Sequence, residues 1–235
     1  MKLIKVRNYK KMSEKAAGII ISEIKKKPHI VLGLATGKTP LGLYRLLVKA
    51  YKKKKIDFSK IKAFALDEYY SIDKNNKNSF YYYLHKNLFD KINIKNRNIN
   101  LLNEEAKNPA AECNNYERKI KKNKIDLQIL GIGVNGHIAF NEPGSLKESK
   151  TRLVELTPET IKNNKIKNIE KGLTIGISTI MRSEKLLLLA SGKKKAEAIK
   201  CLVKCKPNKC CPASFLRKHK NLIVIVDREA GCLIS

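Results

Sequence analysis

The chain reads as an α/β protein: a single-domain, mostly parallel Rossmann-like open sheet flanked by helices, with its site at the carboxyl edge of the strands. Three observations predict this. Short apolar runs ending in Gly, Thr or acidic residues recur along the 235 residues, stretches with helical spacing lie between them, and no internal repeat breaks the alternation. The length suits one large domain with a good core, taken here as residues 1–235 with a mobile lid around 157–171.

In order along the chain, Leu3, Ile4 and Val6 give a short apolar start, and Met12 to Ile24 sets Ala16, Ala17, Ile20, Ile21 and Ile24 at helical spacing before a lysine exit. His29 to Ala35 is a buried strand that breaks at Thr36-Gly37-Lys38-Thr39-Pro40 ahead of a helix from Leu41 to Lys49. Strand, Gly/Thr loop, helix is a phosphate-binding arrangement, because backbone N–H groups and hydroxyls meet an anion at a helix amino end. Gly33 to Thr39 falls one residue short of a P-loop, and Pro40 follows where that motif continues its helix. A strand over Ala63–Leu66 ends in Asp67-Glu68, an acidic pair open to four readings: magnesium ligand, general base, solvated surface pair or helix cap. Phe80 to Leu88 has helical spacing and reads as core, and Pro109 to Lys121 as a surface helix.

The apolar run Leu127–Leu130 opens into Gly131-Ile-Gly133, backbone bare enough for a ligand to approach. His137 and Glu142 follow, five residues apart, with Pro143 and Gly144 after them. Such spacing shares no helix face, so the pair predicts a loop that folds carboxylate against imidazole, an arrangement suited to proton transfer near neutral pH. The glycines also match a dinucleotide fingerprint, but Pro143 interrupts the helix which that fingerprint requires. Beyond it, Thr151–Leu156 predicts a short alternating strand and Thr157-Pro158-Glu159-Thr160 a helix start. The polar stretch Asn163–Lys171 is the lid candidate. Leu173–Ile177, Leu186–Ala190 and Leu222–Val226 predict further buried strands, and Ser191-Gly192 leads into lysines suited to an anionic substrate.

Fifty Lys+Arg against 21 Asp+Glu give a formal charge of +29. The lysines are spread along nearly the whole chain and the interleaved aromatics of single-strand binders are missing, so no specific nucleic-acid partner is expected. Four of the six cysteines crowd into Cys201–Cys211 at spacings that fit no zinc template, and free thiols are expected. The amino terminus carries no secretory h-region and no apolar run has spanning length, which predicts no membrane partner and a cytoplasmic location.

Together, Gly33–Pro40, Leu66–Tyr69, Ser79-Phe-Tyr-Tyr, Asn100–Asn103, Gly131–Gly144 and Lys150-Thr-Arg152 closely resemble the glucosamine-6-phosphate deaminase (isomerase) family over nearly the whole chain. The resemblance implies conversion of glucosamine 6-phosphate to fructose 6-phosphate and ammonia without metal or organic cofactor. It implies a catalytic set of Asp67, Asn135, His137 and Glu142, and a substrate-binding set of Thr36, Gly37, Lys38, Thr39 and Lys195. Asn135 stands where some members carry aspartate, and Ile166 stands at or near a lid arginine, with Lys165 or Lys167 as substitutes. Val154 takes the place of a second basic residue after Arg152 in allosteric hexamers, so a monomer or small homo-oligomer is expected. Related 6-phosphogluconolactonases lack Asp-Glu-Tyr and Phe-Asn-Glu-Pro, and a sugar-phosphate hydrolase of that kind is the alternative.

Overall fold

A computed structural model of the chain describes residues 1–158, 160–161 and 169–234. Its main sheet has seven strands, all parallel: β1 (Lys2–Val6), β2 (Val31–Leu34), β3 (Lys62–Ala65), β5 (Ile99–Asn100), β6 (Leu127–Leu130), β9 (Lys185–Ala190) and β10 (Leu222–Asp227). Their order is β1-β10-β9-β6-β2-β3-β5. Sequence order reverses between β2 and β6, and open sheets of this kind form a ligand crevice beyond the carboxyl ends at such a reversal. Every residue of Leu186–Ala190 is buried, as expected of a strand covered on both faces.

Helices α1 (Tyr9–Lys26), α2 (Leu41–Lys52), α3 (Phe80–Asn87) and α4 (Pro109–Asn123) intervene. The short α5 (Ile177–Met181) and then α6 (Ala196–Lys204) follow later in the chain. Helix α1 starts where the Asn8 side chain accepts the Lys11 N–H at 3.0 Å, and it turns Met12, Ala16, Ala17, Ile20 and Ile24 inward. It stops at Lys27, the residue before Pro28, where helical backbone is disfavoured.

A second sheet departs from the expectation. Strands β4 (Asp67–Tyr69), β8 (Lys171–Thr174) and β7 (Arg152–Glu155) pair antiparallel in the order β4-β8-β7. The predicted strand Leu173–Ile177 therefore belongs to this layer, ends at Thr174, and gives way at Gly176 to α5. A short apolar run states that a strand is buried but not which partner it finds. Tyr69 of β4, with Ile72, Phe140 and Leu156, forms a small core separate from the main one. The Phe80 and Phe140 rings stack at 5.8 Å and Tyr69 leans on Phe140 at 5.2 Å, so the aromatic start of α3 is packing, as its spacing predicts.

Candidate active site

Four loops leave four neighbouring strands, β9, β6, β2 and β3, at one edge of the sheet, and they carry the residues singled out in the sequence. Following β2 comes Thr36–Thr39. Tyr83 donates its hydroxyl to the Gly37 carbonyl at 2.6 Å. Tyr9 donates to the Lys38 carbonyl at 3.2 Å while accepting the Gly42 N–H at 2.7 Å. Two tyrosines from different helices thus occupy the loop's carbonyls and leave the Lys38 side chain exposed. Following β9, Asp227 accepts from the Ser191 hydroxyl and from the Gly192 N–H at 3.1 Å, which fixes the turn ahead of Lys195.

Following β3, the acidic pair divides. Glu68 turns toward α3 and accepts backbone N–H groups from Tyr69, Phe80 and Tyr81 at 2.9, 2.9 and 2.7 Å, so it caps that helix beside Ser79. Burial lifts its carboxyl to about 7 despite those three bonds. Asp67 is buried too, and among the described residues no hydrogen-bond donor reaches its carboxylate. Burial, and then the neighbouring Glu68 charge, raise it well above the usual carboxylate range. Of the two acids, Asp67 is the one not committed to the end of α3.

Following β6, the segment from Gly131 to Gly144 is irregular, as the Gly and Pro content predicts. His137 Nδ1 stands 3.1 Å from Glu142 Oε1, close enough to pair but off the line of a full hydrogen bond. Glu142 is tied on its other sides: Asn135 Nδ2 donates to Oε2 at 2.8 Å and the Thr160 hydroxyl to Oε1 at 2.5 Å. Burial opposes ionisation of Glu142, but His137, Thr160 and Asn135 outweigh it and hold the carboxyl below its ordinary range. The backbone sets the imidazole as well. The His137 N–H rests on Asn135 Oδ1 at 3.2 Å, and its carbonyl accepts the Gly133 N–H at 2.8 Å.

Two glycines are required by what they touch. A Cβ at Gly133 would stand 2.4 Å from the His137 ring, and Gly136 adopts φ +85° with a Cβ position 2.5 Å from Cys211 Sγ. The loop also joins the small sheet. Phe140 donates its N–H to the Thr174 hydroxyl at 3.1 Å, and Thr174 is the strand partner of Asp67. That links the His137 loop to the Asp67 strand through one buried threonine. Sequence reasoning missed Thr160, Thr174, Tyr9 and Tyr83, because a lone Thr or Tyr carries no signal until the fold supplies its partner. The lid predicted for 157–171 lies in part outside the described residues, as do Lys165, Ile166 and Lys167.

No group of three or more His, Cys, Asp or Glu among the described residues could hold a metal, and no described helix is long and apolar enough to cross a membrane. A cleft of about 670 Å³ opens at the opposite, amino edge of the sheet around Asp126, Ser183 and His219 and contains none of these residues.

A family described as glucosamine-6-phosphate isomerases/6-phosphogluconolactonase matches residues 7–225. The chain is 48% identical over 242 residues to a glucosamine-6-phosphate deaminase of Clostridium botulinum (strain Loch Maree / Type A3), covering 100% of this chain and 99% of the relative. It is also 48% identical over 238 residues to one of Clostridium novyi (strain NT), covering 98% and 99%. A solved monomeric glucosamine-6-phosphate deaminase of the NagB superfamily superposes with TM-score 0.96 at 39% identity, covering 99% of this chain and 100% of that one. The 6-phosphogluconolactonase of Leishmania guyanensis reaches TM-score 0.80 at 19% identity, covering 100% and 98%, a likeness of fold alone.

Proposed function

Since the chain belongs to the family of glucosamine-6-phosphate isomerases and 6-phosphogluconolactonases, we propose how its own residues carry the chemistry of the deaminase branch. The reaction is aldose–ketose isomerisation and deamination of glucosamine 6-phosphate, with water, to fructose 6-phosphate and ammonia. Thr36, Gly37, Lys38 and Thr39 take the phosphate at the amino end of α2, and Lys195 supplies a second cation from the β9 loop. His137, oriented by Glu142 and Asn135, moves a proton between ring oxygen and hydroxyl to open the sugar. Asp67 then takes the C2 proton and returns it at C1 through an enolamine, and water releases ammonia from C2.

The observation that carries this reading is the division of the acidic pair: one carboxyl spent on three backbone N–H groups, the other buried with no donor among the described residues and a raised pKa. A base of raised pKa is better matched to taking a proton from carbon near neutral pH than an ordinary aspartate. The substrate's own amino and carbonyl groups supply the electron flow, so the scheme uses no metal or organic cofactor. The partner is a phosphorylated amino sugar, with no specific nucleic acid and no membrane. A monomer or small homo-oligomer suits the likeness to a monomeric relative, and the cytoplasm suits six unpaired thiols.

Ammonia release from glucosamine 6-phosphate tests the reading directly. Turnover of that sugar to fructose 6-phosphate and ammonia is expected. Hydrolysis of a sugar-phosphate lactone with no ammonia release from the amino sugar would replace it with the hydrolase alternative.

A further inference from the structure

Three of the six cysteines, Cys201, Cys205 and Cys211, are neighbours, and Cys211 packs against the His137 loop. Cys201 lies in the last turn of α6, and Cys205, one turn on, closes that helix by donating its N–H to the Cys201 carbonyl at 3.0 Å. The chain then turns back over Asn208, whose side chain accepts the Cys210 and Cys211 N–H groups at 2.9 and 3.2 Å. This return brings Cys211 back toward Cys201, whose thiol lies close enough to the Cys205 and Cys211 thiols for both to raise its pKa. Cys205 is exposed, Cys201 partly covered and Cys211 buried, so the three run from solvent inward.

The inner end of this series meets the site. Cys211 Sγ packs on Gly136, next to His137. The same segment grips the loop at both ends: Ala213 donates its N–H to the Gly136 carbonyl at 2.9 Å, and Gly144 donates to the Lys209 carbonyl at 2.8 Å. Whatever shifts residues 205–213 shifts the frame that holds His137 and Glu142.

We infer that Cys201, Cys205 and Cys211 form a peroxide-oxidisable thiol site whose disulfide state alters the His137 loop. The Cys205 thiol, which solvent reaches, reduces hydrogen peroxide and becomes a sulfenic acid with loss of one water. The Cys201 sulfur then attacks that sulfur, a second water leaves, and a Cys201–Cys205 disulfide results. Residues four apart on a helix keep their Cβ atoms about 5–6 Å apart, whereas a disulfide needs about 3.5–4.5 Å. That bond therefore forces open the last turn of α6. Attack by the Cys211 sulfur on Cys201 relieves it, returns the Cys205 thiol and leaves a Cys201–Cys211 disulfide beneath Gly136. Two thiols have lost two protons and two electrons to one peroxide, which leaves as two waters. Burial and the neighbouring thiols raise Cys201, and burial raises Cys211, while Cys205 is the exposed thiol of the three and so the first to meet peroxide.

The coupling to turnover rests on the function proposed above; the bond itself does not. The test treats the whole reduced protein with hydrogen peroxide, maps disulfides by mass spectrometry after alkylation, and measures ammonia release before and after dithiothreitol. Expected are a Cys201–Cys211 disulfide and a fall in kcat of about tenfold to a hundredfold, the scale of a displacement approaching an ångström, with recovery on reduction. Cys201→Ser should keep basal activity and lose the reversible response, and Cys205→Ser should slow bond formation. All three thiols alkylating fully after peroxide would overturn the inference, as would a Cys201–Cys211 bond that leaves kcat unchanged or a Cys201→Ser variant that responds like the parent. Should the reduced protein release no ammonia, the function fails while the disulfide map still decides whether the thiol site exists.

Discussion

Gly133→Ala is the sharpest probe of the His137 loop. The added Cβ would sit 2.4 Å from ring atoms of His137, where ordinary contact begins at 3.4 Å, so the ring must retreat by about 1 Å. The backbone cannot give, because Gly133 and His137 are joined by a 2.8 Å hydrogen bond and the His137 N–H is held on Asn135. The ring must swing instead, and its 3.1 Å approach to Glu142 is lost. A misplacement of about 1 Å costs about a hundredfold in rate, or about 2.7 kcal/mol of transition-state stabilisation. Overpacking costs folding about 1–3 kcal/mol. The assay is kcat/KM for ammonia release, read beside the melting temperature. Gly131→Ala is the companion, since its Cβ meets nothing within 4 Å. It should melt with wild type, raising KM if substrate lies along that backbone. A folded Gly133→Ala protein with wild-type kcat/KM would refute the dependence of the chemistry on imidazole position.

Other outcomes follow from the same geometry. Asp67→Asn should lower ammonia release and C2 proton exchange together by about a hundredfold to ten-thousandfold with substrate affinity little changed, and unaltered exchange would remove Asp67 as the base. It should also melt above wild type at neutral pH. Burial and Glu68 raise the folded pKa of Asp67, so the folded state binds this proton more tightly than the unfolded chain, and wild-type stability falls as pH rises out of the ordinary carboxylate range. Below about pH 4 the two melting curves should converge. Glu68→Gln should lower the melting temperature through lost N–H acceptors at about 1–3 kcal/mol, leave kcat within about threefold since it acts on α3, and abolish the decline in stability between pH 4.5 and about 7 that the raised Glu68 contributes. Loss of turnover without loss of stability would make Glu68 part of the chemistry. Unphosphorylated glucosamine should react at least about a hundredfold less efficiently, because charged contacts from Lys38 and Lys195 contribute about 1.5–3 kcal/mol apiece; equal kcat/KM for the two sugars would remove the phosphate loop.

Most of the scaffold was legible because parallel strands buried on both faces write themselves as uninterrupted apolar runs, and Leu186–Ala190 and Leu222–Val226 are cases. The loop that folds His137 against Glu142 was legible from spacing and from Pro143. What stayed hidden was relational. Nothing in Asp67-Glu68 says which acid caps a helix, since that depends on where Phe80 and Tyr81 arrive. Nor does Leu173 announce that its strand runs antiparallel against Tyr69's, an outcome set by the chain leaving β3 at Leu66. Thr160 and Thr174 became part of the site only through their partners, 18 and 34 residues away along the chain.

The pairing of β1 with β10, Lys2 opposite Ile223 through Val6 opposite Asp227, bears on how the protein is made. A ribosome delivers β1 before the other strands of this sheet and β10 after them, so β1 must wait with its backbone edge unsatisfied until the rest of the sheet has been made. The waiting is shared by the chemistry, because Asp227, which steadies the turn before Lys195, sits on that late strand. Nascent chains that stall short of β10 should therefore be inert and prone to stick to one another, and quality-control proteases would meet them as frayed sheets before they became slow enzymes.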